Sequence, residues 1–409
     1  MDKTKNILVL GAGSLQVPLI QKVKEKGFNS IVISLYDDEP GMLIATVKVI
    51  GDFCDEQFTL EIAKKYNVCA VITDQTDIPV RTAAYVAEQL NLPGIGYKTA
   101  ILFTDKYKMR ERCKEIGVKT IDYRLCYNLN DVKDFLNTIN TDIILKPINN
   151  QGSKGVYKVS NSLELESKYI EAVKYSRGNA ILAERYIKGE EVVIEAITTN
   201  GRTTNLICGD TFYFNIEDAF SAKQRSFPSL KDATTIQKAL DLNHAIIQGF
   251  GLQNGITHGE YIINGEDIYL IEIAARGGGV YISSDIIPLM TGLDTCSYLI
   301  DFATDNNKKV QITDTHKHVC YLAFYLPEGI ITQIDGINVI KQLSYIHHNN
   351  LDTLYVGKKN RSISDKTSRY FVVLEAENQK ELNCRINYIK QNLKIETQTE
   401  KEIKSIIWE

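Results

Sequence analysis

Short apolar runs alternate with amphipathic stretches over the first 95 residues of the chain. The apolar runs, each with the length and composition of a buried parallel strand, are NILVL at 6–10, IVISL at 31–35 and CAVIT at 69–73. Helical spacing of apolar residues follows these runs at 14–26, 57–66 and 79–91. Because strand and helix alternate, this stretch predicts a small doubly wound α/β domain with a parallel sheet.

After residue 97 the pattern changes to mixed α+β. Helices are predicted at 98–116, 131–139, 162–175 and 232–250. Strands are predicted at 143–147, 180–187, 191–199, 256–263 and 268–274. A third region of strands, with one helix at 378–392, opens with the run HVCYLAFYL. We therefore expect three domains, at 1–97, 98–308 and 309–409.

Composition narrows the class of protein. The 409 residues are 44% hydrophobic and 24% charged, which is ordinary for a globular chain. The net charge of −4 and the scattered lysines lead us to expect no nucleic acid partner. The eight cysteines form no CxxC pair, which indicates small hydrophobic residues in a reducing compartment. With no signal segment and no run of about 18 apolar residues, we expect a cytoplasmic protein without a membrane partner.

A glycine turn, Gly11-Ala12-Gly13, follows the first predicted strand. The dinucleotide-binding fingerprint requires a further glycine at the sixth position for close packing of helix on strand, and here that position is Gln16. Two interpretations stay open. The turn is either a tight connection between strand and helix, or a contact for a small substrate or phosphate at a helix N-terminus.

Lys146 ends an apolar strand, and the polar loop Gln151-Gly152-Ser153-Lys154-Gly155 follows it. A lysine at a strand end supplies a point charge for phosphates. A Gly/Ser loop brings backbone N–H groups close to phosphate oxygens, because glycine adopts the required backbone angles. The order of a P-loop is absent, and a surface hairpin is the alternative.

Two carboxylates, Glu184 and Glu191, flank the segment RYIKGE. A strand that ends in a carboxylate and continues into a short linker could present backbone groups and Glu184 to a base. Glu191 could then meet a ribose hydroxyl. Two solvated carboxylates beside a turn are the alternative.

His258, Glu260 and Glu272 lie in two otherwise apolar strands. Magnesium takes one or two carboxylates together with substrate phosphates, and buried carboxylates are paired or metal-bound. A three-residue loop, Gly265–Asp267, would place Glu260 directly opposite Glu272 on one face. A two-residue turn would separate them unless a bulge intervened. The metal hypothesis therefore predicts the odd-length loop, and solvent-facing glutamates are the alternative.

Arg276 follows this pair and opens a run of three glycines. An arginine beside a metal site can stabilise charge on a transferring phosphoryl group or on an oxyanion. The glycines would allow a substrate close to the backbone. A plain glycine-rich turn is the alternative, but it leaves the arginine unexplained. The histidines at 316, 318, 347 and 348 carry no metal-binding pattern.

The ordered set of motifs resembles the ATP-grasp superfamily over about residues 5–300. Within it, the chain resembles the branch that contains biotin carboxylase, the large subunit of carbamoyl phosphate synthetase and the bacterial L-amino-acid ligases. The segments that carry the resemblance are Thr104-Asp105-Lys106-Tyr107-Lys108-Met109-Arg110, LKPINNQGSKGV, AERYIKGEE and HGEYIINGEDIYLIEIAARGGG. Each segment alone is weak, but their order and spacing together are specific.

The resemblance implies a fold. It consists of an N-terminal Rossmann-like (pre-ATP-grasp) domain, a central two-lobed ATP-grasp domain and a small C-terminal α+β domain. The nucleotide would lie between two antiparallel sheets, one of them on a mobile lid of about residues 118–185.

The resemblance also implies roles for individual residues. ATP would contact Lys106, Lys146, Gly152, Ser153, Lys154, Gly155, Glu184, the backbone of Ile187, Glu191 and His258. Glu260 and Glu272 would hold one or two Mg²⁺ ions, or Mn²⁺, and Arg276 would be the catalytic residue. One departure concerns the second metal. Where relatives often have asparagine, this chain has Ala274, which cannot be a ligand.

The implied activity is an ADP-forming carbon–nitrogen ligase. A small carboxylate would become an acyl phosphate and would pass to an amine or a similar nucleophile. A homodimer is compatible with this class. Two other functions stay open: an ATP-binding regulatory protein that has lost turnover, favoured by Ala274, and a nicotinamide-dependent oxidoreductase built on the first domain, which must explain Gln16.

Overall fold

The computed structural model describes residues 4–150, 152–176, 178, 180–216, 220–306, 310–361 and 368–409. The chain divides into two compact units. The first consists of Met1–Leu206, Lys231–Ser284 and Leu293–Gln311, and the second of Ile207–Leu230, Asp285–Gly292 and Ile312–Glu409. The predicted division into three domains and the lid at 118–185 stay predictions. Gln151, which belongs to the predicted phosphate loop, lies outside the described residues.

The first unit opens with four parallel strands: β1 (Asn6–Leu10), β2 (Asn29–Ser34), β3 (Val47–Ile50) and β4 (Val68–Ile72). They lie in the order β3-β2-β1-β4. The accompanying helices are α1 (Val17–Glu25), α2 (Pro40–Ile44), α3 (Glu56–Lys65) and α4 (Val80–Gln89). Ile7 and Val9 enter one apolar cluster, whereas Leu8 and Leu10 enter another. A parallel strand that is buried on both faces is apolar throughout, as β1 is. The predicted doubly wound sheet is confirmed.

Helices α5 (Tyr97–Leu102) and α6 (Lys106–Glu115) replace the single helix predicted at 98–116. The division has a local cause. The side chain of Asp105 accepts a hydrogen bond from the backbone N–H of Lys108, so that it caps a new helix. Lys106 therefore occupies the first position of α6 instead of the middle of a long helix.

A second, antiparallel sheet of the first unit has its own core. Its strands are β5 (Tyr123–Cys126), β6 (Ile143–Pro147), β7 (Tyr157–Val159) and β8 (Ile181–Arg185), in the order β5-β8-β6-β7. Helices α7 (Leu129–Ile139) and α8 (Ser162–Lys174) supply apolar residues to the same cluster as the strands. This sheet carries Lys146 at the end of β6 and Glu184 near the end of β8.

The third part of the first unit carries the predicted metal residues. Its elements are β9 (Glu190–Thr199), α9 (Ala233–Phe250), β12 (Gly255–Asn264), β13 (Asp267–Ala274) and α11 (Thr295–Ala303). Strand β12 pairs antiparallel with both β9 and β13. Strand β10 (Arg202–Tyr213) begins in this unit and ends in the second.

The second unit contains the following elements: β11 (Ala222–Phe227), α10 (Ile287–Thr291), β14 (His318–Phe324), β15 (Gly329–Asp335), α12 (Ile337–Lys341), β16 (Ile346–Asn349), β17 (Lys359–Asn360), β18 (Tyr370–Ala376), α13 (Gln379–Asn392), β19 (Lys394–Gln398) and β20 (Ile403–Lys404). Strands β11, β14, β18 and β16 adjoin in that order, and β17, β15, β19 and β20 form another sheet. Both contribute to one apolar cluster with α13. Within the described residues, no helix combines the length and apolar composition needed to cross a membrane.

Candidate active site

Glu260 and Glu272 lie directly opposite each other on β12 and β13. The predicted three-residue loop is wrong, because Asn264 pairs with Asp267 and only Gly265 and Glu266 form the turn. The facing pair arises from a β-bulge. The register shifts beyond Tyr261, which pairs with Leu270, so that Ile271 is the extra residue. A shift of one residue moves Glu272 to the face that carries Glu260.

Lys106 contacts one carboxylate of the predicted metal-site pair. Its ammonium lies 2.6 Å from Glu272 Oε1 and donates to the carbonyl of Asn150 at 2.7 Å. The lysine side chain is buried, whereas the side chain of Glu272 is 27% exposed. The structure thus brings together three predicted features: the first lysine, a metal carboxylate and the start of the glycine loop.

A buried ion triad joins Lys146, Glu184 and Arg110. Glu184 accepts from Arg110 Nε at 2.7 Å and contacts Lys146 Nζ at 2.5 Å. Burial raises the pKa of Glu184, but the two cations outweigh it and lower that pKa overall. Burial lowers the pKa of Lys146, and Glu184 offsets part of this change. The sequence predicted roles for Lys146 and Glu184 but gave none to Arg110.

His258 lies between two glutamates. Its Nδ1 hydrogen-bonds to Oε1 of the fully buried Glu195, and its Nε2 lies 3.3 Å from Glu260 Oε1. Because a carboxylate only accepts, both Nδ1 and Nε2 must carry a proton to donate to Glu195 and Glu260, and the ring is then a cation. Burial lowers the pKa of His258, and Glu195 more than reverses this change. His258 is thus placed beside a metal carboxylate, and it pairs across the strands with Ala274, the position without a ligand.

Arg276 is held by a residue of the loop that follows β4. Its Nε and Nη2 donate to the two oxygens of Asp77 at 2.8 and 2.9 Å, and its Nη1 donates to the carbonyl of Gly277. Burial lowers the pKa of Arg276, but Asp77 raises it overall, so the guanidinium stays charged. This fork-to-fork pairing fixes both position and orientation.

The glycine run after Arg276 is anchored by two buried carboxylates. The backbone N–H of Gly277 donates to Asp74 at 2.9 Å, and that of Gly278 donates to Glu195 at 3.0 Å. Asp74 also accepts from the hydroxyl of Ser283, and burial raises its pKa. These two N–H groups are therefore engaged within the chain.

The backbone beyond the glycines is strained. Val280 and Tyr281 have φ values of 50° and 64°, a region that β-branched and bulky residues rarely adopt. The backbone N–H of Tyr281 donates to the side chain of Gln75 at 3.1 Å. Such strain persists where the surroundings fix the chain, and it is concentrated at functional sites.

The glycine turn of the first strand makes its contacts inside the chain. Gln16 is buried and donates to the carbonyl of Asp74 at 2.8 Å, while its side chain lies against Gly11 and Gly13. The carbonyl of Ala12 accepts from the N–H of Gly41. These contacts support the interpretation of a tight connection between strand and helix.

The remaining predicted nucleotide residues occupy three places in the first unit. Residues 152–155 form a turn between β6 and β7, with left-handed backbone at Gly152, Ser153 and Gly155. Ile187 is buried against Ile121 and Tyr269. Glu191 lies on β9 opposite Ile262. The side chain of Lys154 carries no described contact that bears on its predicted role.

A cavity of about 200 Å³ opens beside Glu272. Its walls include Asp77, Arg81 and Glu56 on one side and Asn149 and Asn150 on the other. It therefore connects the metal carboxylate, the partner of Arg276 and the start of the glycine loop.

The donor set fits magnesium that arrives with a nucleotide. Among the described residues, no group of three or more His, Cys, Asp and Glu side chains is arranged to hold a metal alone. Two facing carboxylates are what Mg²⁺ uses when phosphates supply further ligands. The Lys106 ammonium against Glu272 also shows that a positive charge is accommodated there.

Comparison with known proteins agrees with this geometry. Residues 139–285 match the family model described as the ATP-grasp domain. This segment of the chain is an ATP-grasp domain. The matched segment contains Lys146, Glu184, both predicted metal glutamates and Arg276, so the ATP-grasp domain includes most of the candidate site.

Two curated relatives of this ATP-grasp chain illustrate the family. Formate-dependent phosphoribosylglycinamide formyltransferase of Sulfurisphaera tokodaii is 25% identical over 288 residues, which cover 67% of this chain and 70% of that protein. Alanine–anticapsin ligase of Bacillus subtilis is 26% identical over 265 residues, which cover 59% of this chain and 55% of that ligase. The ATP-grasp chain is accordingly an enzyme of the ATP-dependent ligase class.

A solved structure extends the comparison of the fold to nearly the whole ATP-grasp chain. The L-amino acid ligase of Bacillus licheniformis superposes with a TM-score of 0.83 at 20% identity, covering 98% of this chain and all of that one. The predicted ATP-grasp architecture is thereby confirmed.

The residues that sequence reasoning missed share one property. Asp74, Asp77, Glu195 and Arg110 each act through a partner far away in the sequence. One local signal did exist. The segment TDQTD follows β4 directly, and the carboxyl ends of parallel strands are where α/β proteins bind ligands.

Proposed function

We propose that this ATP-grasp enzyme activates a small carboxylate as an acyl phosphate and transfers the acyl group to an amine or a similar nucleophile, releasing ADP and phosphate. One observation carries the proposal. Glu260 faces Glu272 on adjoining strands, and the Lys106 ammonium lies 2.6 Å from Glu272. Carboxylates for a hard cation and a lysine for phosphates in one place are the parts that phosphoryl transfer requires.

ATP is the first substrate in this proposal. Lys106 and Lys146 would offset the charge of its phosphates, and Gly152–Gly155 would close over the γ-phosphate. Glu184 and the backbone of Ile187 would hold adenine, while Glu191 would hold the ribose. Residues 118–185 would act as the lid, and their closure would exclude water from the acyl phosphate.

Magnesium would be held by Glu260 and Glu272. When bound, such an ion neutralises developing charge on phosphoryl oxygens. His258 would keep Glu260 in place through its Nε2, since its Nδ1 is committed to Glu195. Because Ala274 supplies no oxygen, a second ion would depend on Glu272 and water.

Arg276 would act as a fixed cation at the reacting centre. Two of its nitrogens donate to Asp77, and its Nη1 donates to the backbone carbonyl of Gly277. A preoriented cation loses little entropy when charge develops on a substrate oxygen. The bidentate pairing with Asp77 therefore supports a role for Arg276 in stabilising an oxyanion.

The cavity beside Glu272 supports an amine as the second substrate. Four carboxylates line it: Glu56, Asp77, Asp105 and Glu272. Three cations stand against them, Arg81 in the lining and the ion-pair partners of Glu272 and Asp77, Lys106 and Arg276, so that one negative charge remains in excess. An acidic lining attracts the ammonium group that an amine carries at neutral pH. The names of the curated relatives, one a formate-dependent formyltransferase and one an alanine ligase, support a small carboxylate as its partner.

The test is turnover with defined substrate pools. The protein would be incubated with Mg²⁺, ATP and mixtures of amino acids, small carboxylates and amines, while ADP and phosphate are measured. Glu272→Gln is the inactive variant, and Glu266→Gln, an exposed glutamate of the same hairpin, is the matched control. ADP and phosphate that appear only with particular pairs, and disappear in Glu272→Gln alone, support the ligase.

A second candidate function rests on Ala274, which removes one expected metal ligand. In that case the chain binds ATP with Mg²⁺ but turns over no pool, as a regulatory protein would. The absence of any ATP binding would contradict both candidates.

A further inference from the structure

We propose that Arg110 is a positioning residue which couples the adenine end of the nucleotide site to the register of the metal carboxylates. The inference rests on the proposed function, since it concerns the same site. Neither the sequence motifs nor the relatives assigned Arg110 a role. Its contacts reach two strands that carry different parts of the site.

The guanidinium of Arg110 makes two kinds of contact. Its Nε donates to Glu184 on β8 at 2.7 Å, and its Nη2 donates to the carbonyl of Ile271 on β13 at 2.6 Å. The side chain is 1% exposed. One rigid, planar group therefore fixes the distance between a residue of the adenine site and a residue of the metal strand.

Ile271 is the extra residue of the β-bulge between β12 and β13. A bulged residue leaves the ladder locally disrupted, so its backbone groups need partners elsewhere. Arg110 supplies that partner to the carbonyl. Without the bulge the two-residue turn would pair Glu260 with Ile271, and Glu272 would point to the opposite face. By holding this carbonyl, Arg110 holds Glu272 opposite Glu260.

The contacts of Arg110 cost folding free energy, which indicates that they serve function rather than stability. Within the described part of the chain, Arg110 Nη1 is buried and lacks a hydrogen-bond partner. A buried N–H group without an acceptor is destabilising, and native proteins rarely keep one without reason. Replacing a buried ion network by apolar side chains often stabilises a protein, so its presence alone does not argue for stability.

The charge balance of the triad fits a polyanion. Arg110 and Lys146 carry two positive charges against the single negative charge of Glu184. The buried surplus of one positive charge lies beside residues that we assign to ATP. A nucleotide triphosphate would compensate this surplus, whereas the chain without nucleotide keeps it.

The experiment compares metal and nucleotide binding in the full-length chain. Mn²⁺ binding in the presence of ATP would be measured by electron paramagnetic resonance, and ATP binding by calorimetry. Arg110→Lys keeps the positive charge but cannot contact both Glu184 and the Ile271 carbonyl with a rigid fork. The matched control is Arg112→Lys on the same helix, because Arg112 also donates to a backbone carbonyl, that of Gly249 at 2.8 Å.

We expect Arg110→Lys to weaken Mn²⁺ binding by about 10- to 100-fold, because the loss of a group that orients metal ligands has an effect of that size. ATP binding should weaken with it, and Arg112→Lys should match the wild type. Equal Mn²⁺ affinity in Arg110→Lys and wild type would overturn the inference.

If circular dichroism shows that Arg110→Lys does not fold, Arg110→Gln takes its place, because an amide retains N–H donors without the charge. Unchanged Mn²⁺ affinity in that variant overturns the inference in the same way. A wild-type chain that binds no Mn²⁺ with ATP would instead overturn the proposed function, and this inference with it.

Discussion

Glu195 joins His258 to the glycine run that follows Arg276. One carboxylate oxygen accepts the Nδ1 proton of His258, and the other accepts the backbone N–H of Gly278 at 3.0 Å. Glu195 is fully buried on β9, and His258 continues the chain of contacts to Glu260. The arrangement resembles the carboxylate–histidine pairs that orient ligands in metal sites.

Glu195→Gln should weaken the binding of magnesium. The amide keeps the size of the side chain, and its oxygen can still accept from Gly278, but its N–H₂ group faces His258 Nδ1 and displaces the proton from that nitrogen. We expect the Mg²⁺ concentration for half-maximal ADP formation to rise about 10-fold or more. Glu190→Gln, an exposed residue of the same strand, is the control. Equal Mg²⁺ dependence in both variants would contradict the role of Glu195.

Gly278→Ala should disrupt the site, whereas Gly279→Ala should not. A Cβ at Gly278 would lie 2.4 Å from Glu195 Oε1 and 3.0 Å from His258 Nδ1. A Cβ at Gly279 would meet nothing closer than 3.6 Å, which is an ordinary contact. Overpacking of this kind costs about 1–3 kcal/mol, so Gly278→Ala should lower the free energy of unfolding by that amount. Urea titration and ADP formation would measure both effects. A Gly279→Ala variant as impaired as Gly278→Ala would refute the steric explanation.

Asp77→Asn should reduce the turnover number and leave ATP affinity nearly unchanged. Asparagine retains one acceptor but loses the charge and the bidentate pairing with Arg276. We expect a fall in kcat of about 10- to 100-fold, corresponding to the roughly 1.5–3 kcal/mol of a charged hydrogen bond. The double variant with Arg276→Gln should be little worse than Arg276→Gln alone, because the two residues act as a unit. Additive losses would show that Asp77 works independently of Arg276.

Glu184→Gln should make the stability of the chain less dependent on acid pH. Burial raises the pKa of Glu184, but Arg110 and Lys146 lower it overall, below the 4.5 of an unperturbed glutamate. A lowered folded-state pKa contributes stability that is complete above pH 4.5 and is lost as the pH falls through the folded value. Breaking the buried pair should cost about 3–5 kcal/mol at pH 7. Urea titrations at pH 7 and pH 4 should therefore show a smaller difference between variant and wild type at pH 4. A constant difference would contradict the assignment of the shift.

Much of the fold could be predicted because apolar periodicity is a local property. The strands at 6–10, 69–73 and 143–147 appear within one residue of their predicted bounds. Over the first 95 residues the missed elements are β3 and α2, which are only four and five residues long. The predicted helix at 98–116 divides because Asp105 caps α6. The periodicity of apolar residues does not show whether a helix continues through such a residue or begins anew after it.

The sequence allowed many residues of the candidate site to be proposed, but not the contacts between them. A longer loop was expected to place Glu260 opposite Glu272, whereas a β-bulge does so. Arg110, which donates to the bulged residue, lies 161 residues before it. Asp77 lies 199 residues before Arg276, and nothing near either residue in the sequence indicates the other. Such contacts follow only once the chain has folded.

The ion pair between Lys106 and Glu272 has a consequence for the order in which ligands arrive. The ammonium neutralises one of the two carboxylates that a divalent ion would need. A bare cation must compete with Lys106 for Glu272, whereas a cation that arrives on a triphosphate brings the anion that draws Lys106 away. We therefore expect the metal ion and the nucleotide to bind together. Lys106 would disfavour the binding of a divalent cation that arrives without a nucleotide.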